Sequence, residues 1–139
     1  MKTSPAGLAA ITQREGRRNE AYRDSRGIWT IGVGHTGPEV HAGLVWSDSQ
    51  VESALAHDIS WAEDAVNKHV TVPITQNQFD ALVSFTFNIG AEGFATSTAV
   101  RVLNSGVNQA ANALLLWEHP AELKARRESE RAQFLTKET

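Results

Sequence analysis

The sequence predicts an α+β fold, a small N-terminal β-element and a larger helical lobe with a cleft between them. Three observations point there. Residues 28–34 (Ile28-Trp29-Thr30-Ile31-Gly32-Val33-Gly34) are rich in β-formers and glycine, and a turn-type segment from Tyr22 to Gly27 precedes them. From Ser47 onward, apolar residues recur at helical steps almost to the end. The chain has 139 residues, 41% apolar and 21% charged, which suits one domain with a substantial core. Within it, a small lobe is expected over about 15–47 and a helical lobe over about 48–139, to which the N-terminal helix 4–14 also belongs.

In chain order, residues 4–14 read as a short helix, with Ser4 as N-cap and Pro5 at the first helical position. Tyr22-Arg23-Asp24-Ser25-Arg26-Gly27 reads as the turn of a hairpin or small meander. In the strand that follows, Thr30, Gly32 and Gly34 share one face while Trp29, Ile31 and Val33 share the other. The first face offers one hydroxyl beside two bare positions, where a bulky substrate can approach the backbone. Ser47 or Asp48 caps a long helix. Its apolar positions Val51, Leu55, Ile59, Ala62 and Val66 step by four, four, three and four, making one stripe. Pro73 interrupts, and Thr75 caps a core helix with Phe79, Leu82, Val83, Phe85 and Phe87, which Asn88-Ile89-Gly90 stops. Ser97 or Thr98, Asn104-Ser105-Gly106 and Pro120 punctuate three further helices, the last reaching about Leu135.

Composition excludes several functions. There is no cysteine, so disulfides, thiolate catalysis and cysteine zinc sites are ruled out. His35, His41, His57, His69 and His119 show no metal-ligand spacing, and no metal or cofactor is expected. A net charge of −3 argues against a nucleic-acid partner. No apolar run approaches the roughly 20 residues of a membrane span. The patch Leu8–Ile11 is too short for a signal-peptide core, so neither membrane insertion nor export is expected. Charge is uneven: residues 1–35 hold six Lys/Arg against three acids, residues 36–100 one Lys against eight. That is either a basic patch attracting an anionic polymer such as a cell wall, or solvated charge on two faces. No exposed apolar stripe stands out, and a monomer is expected.

The residues with chemical potential gather around the expected sheet. Glu15, Asp24 and Thr30 follow one another nine and then six residues apart. Cleaving a glycosidic bond takes an acid for the leaving oxygen and a carboxylate to activate water or attack the sugar. Glu15, at the end of the first helix, suits the acid. The negative end of the helix dipole favours its protonated form, while Arg14, Arg17 and Arg18 favour the ionised one. Asp24, in a polar turn, stays ionised, and Thr30 is placed to hold water against it. On residue types alone, acids beside a turn are more often solvated surface.

The wider pattern carries more weight. Glu15-Gly16, Ala21-Tyr22-Arg23-Asp24 and Gly27-Ile28-Trp29-Thr30-Ile31-Gly32-Val33-Gly34-His35-Thr36 resemble the signature of the phage-type lysozymes, the endolysins of glycoside hydrolase family 24. The similarity continues through Leu82-Val83-Ser84-Phe85, Phe87-Asn88-Ile89-Gly90, Phe94, Ser97-Thr98 and Arg126-Arg127-Glu128, spanning nearly the whole chain.

The resemblance implies a lysozyme-like fold and a muramidase cutting between N-acetylmuramic acid and N-acetylglucosamine in bacterial peptidoglycan, without metal or cofactor. It implies Glu15 as general acid, with Asp24 and Thr30 activating water for direct, inverting attack. It adds a substrate-binding set: Gly32, His35, Phe87, Asn88 and Arg127. Of these, His35 reads chiefly as a structural tie between sheet and site, and Phe87 also fits ordinary core. Arg126 or Arg127 is implied to orient Glu15, with a solvated basic turn as the plain alternative. Trp46, Trp61 and Trp117 fit sugar stacking and packing alike. Asn19 stands where the family has a leucine-like residue, and Ala125 where glycine is common. Without an export signal, such an endolysin is expected in the host cytoplasm, reaching the wall once the inner membrane opens. The alternatives are a lysozyme-fold glycan-binding module and a lytic transglycosylase.

Overall fold

In the computed structural model, the protein contains α1 (Pro5–Glu15), β1 (Arg18–Arg23), β2 (Trp29–Gly32), β3 (His35–Thr36), α2 (Asp48–Asp58), α3 (Ser60–His69), α4 (Gln76–Ile89), α5 (Ala91–Ala95), α6 (Thr98–Ser105) and α7 (Leu123–Leu135). The structure describes residues 1–105, Leu114 and 123–136. Gly106, Trp117, His119 and Pro120, singled out in the sequence, lie outside the described residues. The class is the expected α+β. The chain divides into two compact units, Leu8–Ser60 and Met1–Gly7 with Trp61–Thr139.

In the unit Leu8–Ser60, three antiparallel strands lie in the order β1-β2-β3. Tyr22 and Arg23, expected in the turn, instead complete β1, where Tyr22 pairs with Thr30 and Arg23 with Trp29. Between that pair and Arg18↔Gly32, β1 advances four positions while β2 advances two, so β1 carries a bulge. There β1 turns to another segment. The Ala21 N–H donates to the Leu44 carbonyl at 2.9 Å, and the Trp46 N–H to the Asn19 carbonyl at 2.7 Å. The departure at Asn19 thus has a physical account: its amide donates to the Trp46 carbonyl and the Asp48 carboxylate, each at 3.0 Å. A leucine there makes neither bond.

The alternation expected through Gly34 ends at Gly32, the last residue of β2. Gly32 sits at φ +67°, and an added Cβ would lie 3.3 Å from the Trp46 ring and 3.7 Å from Val51. The open face expected along Thr30 and Gly32 is therefore not open: the Trp46 ring packs over Gly32, and Thr30 is only 3% exposed. Ile31, Val33, Val51, Leu55 and Ile59 are buried in this unit.

Ser47 caps α2 in a capping box with Gln50. The single long helix of the sequence is in fact two. α2 ends at Asp58 and α3 begins at Ser60, with Ile59 between them at φ −82°, ψ −5°. All five stripe residues are buried all the same. Apolar spacing reports which side chains face a core, and it is silent on whether the backbone ladder between them runs unbroken.

In the other unit, α4 packs against α7, with Phe79, Leu82, Val83, Phe85, Phe94, Leu103 and Phe134 buried. Thr75 caps α4 with Gln78, and Gly90, at φ 93°, ends it. The short α5 is not foreseen in the sequence. Ser97 caps α6, its hydroxyl accepting from the Val100 N–H at 3.1 Å. Two buried carboxylates hold the first residues. Glu63 accepts the N–H and hydroxyl of Thr3 at 2.7 and 2.8 Å. Asp80 accepts the N–H and hydroxyl of Ser4 and the Gln76 amide. The Ser4 hydroxyl in turn accepts from the Gly7 N–H at 3.1 Å, as its N-cap position predicts.

Gly7 sits against this cluster. Alanine usually improves a helix by up to about 1 kcal/mol over glycine. Here its Cβ would lie 2.5 Å from the Asp80 carboxyl carbon and 2.7 Å from the Thr3 methyl. Gly7→Ala is expected to lose about 1–3 kcal/mol in urea unfolding. A neutral or stabilised variant would contradict the placement of Asp80.

Candidate active site

The hairpin between β1 and β2 closes on Ile28. The Asp24 N–H donates to the Ile28 carbonyl and the Gly27 N–H to the Asp24 carbonyl, both at 2.9 Å, with Gly27 at φ 79°. The Asp24 carboxylate accepts the Arg26 N–H at 2.8 Å and the Ile28 N–H at 2.9 Å, both on Oδ1. The Ile28 bond is the main reason that the carboxyl is held below the usual aspartate range, with the Arg26 N–H and guanidinium adding to it against partial burial. Asp24 is therefore ionised at neutral pH, as the sequence suggested.

Thr30 joins the same peptide. Its Oγ1 donates to the Ile28 carbonyl at 2.9 Å. A hydroxyl has one proton, so Thr30 Oγ1 is left as an acceptor. Asp24 Oδ2 has no partner among the described residues. Both side chains are thus fixed by one residue, each with an acceptor to spare. Glu15 is half-buried at the last position of α1. Gly16, at φ 82°, ends the helix there, its N–H donating to the Thr12 carbonyl at 2.9 Å. Glu15, Asp24 and Thr30 all belong to the unit Leu8–Ser60.

His35 binds carboxylates with both ring nitrogens, Asp58 on Nδ1 and Glu39 on Nε2, each at 2.6 Å. Its ring lies 5.2 Å from that of Trp46. Burial lowers the histidine's proton affinity, but the two carboxylates more than offset it and leave it raised. The His35 bond likewise holds Glu39 below the usual range. The flanking arginines are engaged in similar surface contacts. Arg17 pairs with Asp48, Arg18 lies 4.7 Å from the Tyr22 ring and Arg23 5.0 Å from the Trp29 ring.

The remaining residues implied by the resemblance lie in the unit containing α4. Phe87 is half-buried and stacks on Trp61, with ring centroids 5.9 Å apart and 29° between planes. Arg127 is wholly buried, pairing with Glu130 and donating to Asn88 Oδ1. Arg126 donates to Glu130 at 3.2 Å and to the Ser84 carbonyl at 2.9 Å. The plain alternative of a solvated basic turn does not describe this pair, since the two arginines converge on one buried carboxylate. Sequence reading missed Glu130, Ser84 and Ile28. The helical spacing of Arg126 and Arg127 to Glu130 was the one available signal.

The His35 cluster gives a pH signature. A raised histidine contributes stability that is complete below its unfolded value near 6.5 and is lost as pH rises through the folded one. A lowered Glu39 contributes stability above its unfolded value near 4.5 that is lost as pH falls. The difference in Tm between the parent and His35→Asn should thus peak at about pH 5–6 and shrink by pH 9. A difference that grows toward pH 9 in thermal unfolding would refute the clamp.

Residues 12–130 match the family model described as phage lysozyme. The endolysin of Salmonella phage P22 is 45% identical over 145 residues, covering 98% of this chain and 99% of that protein. A crystal structure of a P22 lysozyme mutant superposes with a TM-score of 0.92 at 44% identity, covering 98% of this chain and 99% of that one. The muramidase domain of SpmX from Asticaccaulis excentricus follows at TM-score 0.87 and 41% identity, covering 98% and 99%. With this fold, this hairpin and these matches, the chain belongs to the phage lysozyme family.

Proposed function

We propose that the protein is a muramidase in which Glu15 is the general acid and Asp24 and Thr30 hold and activate the attacking water. The chain is a glycoside hydrolase of the lysozyme type, and its biological role is that of a phage endolysin, with bacterial peptidoglycan as substrate. The observation that carries the assignment is the shared anchor at Ile28. Thr30 has given its proton to the Ile28 carbonyl, and Asp24 has tied Oδ1 to the Ile28 and Arg26 N–H groups. What remains is one carboxylate oxygen and the lone pairs of the hydroxyl oxygen. A water donating one proton to each is oriented with its own lone pair outward, toward a sugar carbon.

Ionised Asp24 takes up a proton as the water attacks, and Glu15 protonates the departing glycosidic oxygen. The near-complete burial of Thr30 suits a group that touches water rather than sugar. No helix among the described residues is long and apolar enough to cross a membrane. The proposed route to the wall runs through the host cytoplasm, with a separate factor opening the inner membrane.

Glu15→Gln should lower turnover on purified peptidoglycan by about 10³-fold or more while leaving Tm within a few degrees. Asp24→Asn, which keeps one acceptor oxygen but loses the base, should lose about 10²–10³-fold. Mass spectrometry of the digest should show muropeptides with free reducing ends. Anhydro-muramic ends would reassign the enzyme as a transglycosylase, and a Glu15→Gln protein within a few-fold of the parent would remove Glu15 from the acid role.

A further inference from the structure

The segment entering α2 builds a small cavity that Glu15, Asp24 and Thr30 do not line. It measures about 310 Å³ and is walled by Trp46, Ser49, Gln50 and Ser53, all within the unit Leu8–Ser60. Ser49 and Ser53 lie one turn apart on α2, with Gln50 beside them. Several contacts fix this wall in advance of any ligand. The Trp46 N–H donates to the Asn19 carbonyl at 2.7 Å, and the Trp46 carbonyl accepts the Asn19 amide at 3.0 Å. The Trp46 ring packs over Gly32 and beside His35. Gln50 is held by the capping box, its Oε1 accepting the Ser47 N–H at 2.8 Å.

What the wall offers a ligand is neutral. With Oε1 committed to Ser47, Gln50 keeps its Nε2 donor. The Trp46 indole N–H and the Ser49 and Ser53 hydroxyls have no partner among the described residues. An aromatic wall beside neutral donors and hydroxyls suits a pyranose, which carries C–H faces and a rim of polar groups. Charge points the same way. No cation lines the cavity, and its neighbours on α2, Asp48 and Glu52, are acidic, so a phosphate polymer or an acidic peptide is disfavoured. The volume lies at the low end of the roughly 300–1,000 Å³ of ligand pockets, enough for one sugar unit. We propose that Trp46, Ser49, Gln50 and Ser53 form an accessory saccharide site for one peptide-free N-acetylglucosamine unit of a wall glycan, separate from the catalytic groups. A second point of attachment keeps the enzyme on an insoluble polymer between cuts. The proposal rests on the muramidase reading, because that reading supplies the glycan.

The test titrates isotope-labelled Glu15→Gln protein with diacetylchitobiose, the dimer of N-acetylglucosamine, and separately with the dipeptide L-Ala-D-Glu, followed by NMR. Ser53→Leu fills the cavity from an exposed helix position. Ala56→Leu adds the same side chain at an exposed position of α2 outside the lining and serves as control. Gln50→Glu keeps the oxygen that accepts from Ser47 and replaces only the free donor by an acceptor. Thermal unfolding checks that each variant remains folded.

Diacetylchitobiose should shift the Trp46 indole signal and the Ser49, Gln50 and Ser53 amides saturably, with a Kd of about 1–10 mM, while the dipeptide leaves them in place. Ser53→Leu should weaken this binding by about fivefold or more and Gln50→Glu by about 3–10-fold, with Ala56→Leu within about twofold. In the otherwise parental enzyme acting on purified sacculi, Ser53→Leu should raise KM by about 3–10-fold and leave kcat within about twofold. An unmoved Trp46 indole signal at about 20 mM sugar would overturn the site. So would shifts that Ser53→Leu leaves intact, or shifts given by the dipeptide in place of the sugar. The parent enzyme separates this outcome from the catalytic reading. If it releases reducing ends while the sugar leaves Trp46 unmoved, the accessory site alone is lost. If it releases none while Trp46 responds, the muramidase reading is lost and the saccharide site stands.

Discussion

The peptide of Ile28 is used three times over. Its carbonyl accepts from the Asp24 N–H and from the Thr30 hydroxyl, and its N–H donates to the Asp24 carboxylate. The first of these bonds closes the hairpin and the other two aim the side chains. Turn geometry and site geometry are consequently one constraint. Gly27, at φ 79°, lets the chain reverse tightly enough for all three bonds to form. The side chain of Ile28 is 42% exposed, so its contribution comes from its backbone and its placement rather than from burial. A charged acceptor fed by two backbone donors also keeps its charge, as a group that removes a proton from water requires.

Around the sheet, polar contacts decide details that apolar packing leaves open. The bulge in β1 frees Asn19 and Ala21 to pair with Trp46 and Leu44, which brings the Trp46 ring over Gly32. His35 then finds that ring on one side and two carboxylates at its nitrogens. These contacts hold β3, the segment before α2 and the end of α2 together. None of them needs a large buried area, and the effect of the His35 cluster varies with pH because both His35 and Glu39 titrate at shifted values.

In the unit containing α4, buried charge is handled differently. Glu130 is inaccessible to solvent, and it receives Arg126, Arg127 and the Ser84 hydroxyl. Burying such a group is unfavourable unless each of its lone pairs is matched. Here they are matched by groups on α4 and α7 more than forty positions apart in the chain. An assembly of this kind adds little net stability over an apolar equivalent. What it supplies is orientation: the guanidinium of Arg127 carries only donors and so meets the oxygen of the Asn88 amide.

The sequence by itself determined the α+β class, the N-caps at Ser4 and Thr75, the pairs Ser47 or Asp48 and Ser97 or Thr98 from which the other two caps come, the stop at Gly90 and the five-residue apolar stripe through Val66. All of these depend on interactions between residues a few positions apart, where side-chain chemistry and helical or strand period suffice. It also brought Glu15, Asp24 and Thr30 together as candidates through their spacing. Tertiary structure decided the rest. The strand status of Tyr22 and Arg23, the cover that Trp46 lays over Gly32, the carboxylates that share His35 and the buried network behind Asn88 all involve partners distant in sequence. Any acid can serve any base until the backbone fixes which ones meet, and periodicity is silent on that choice.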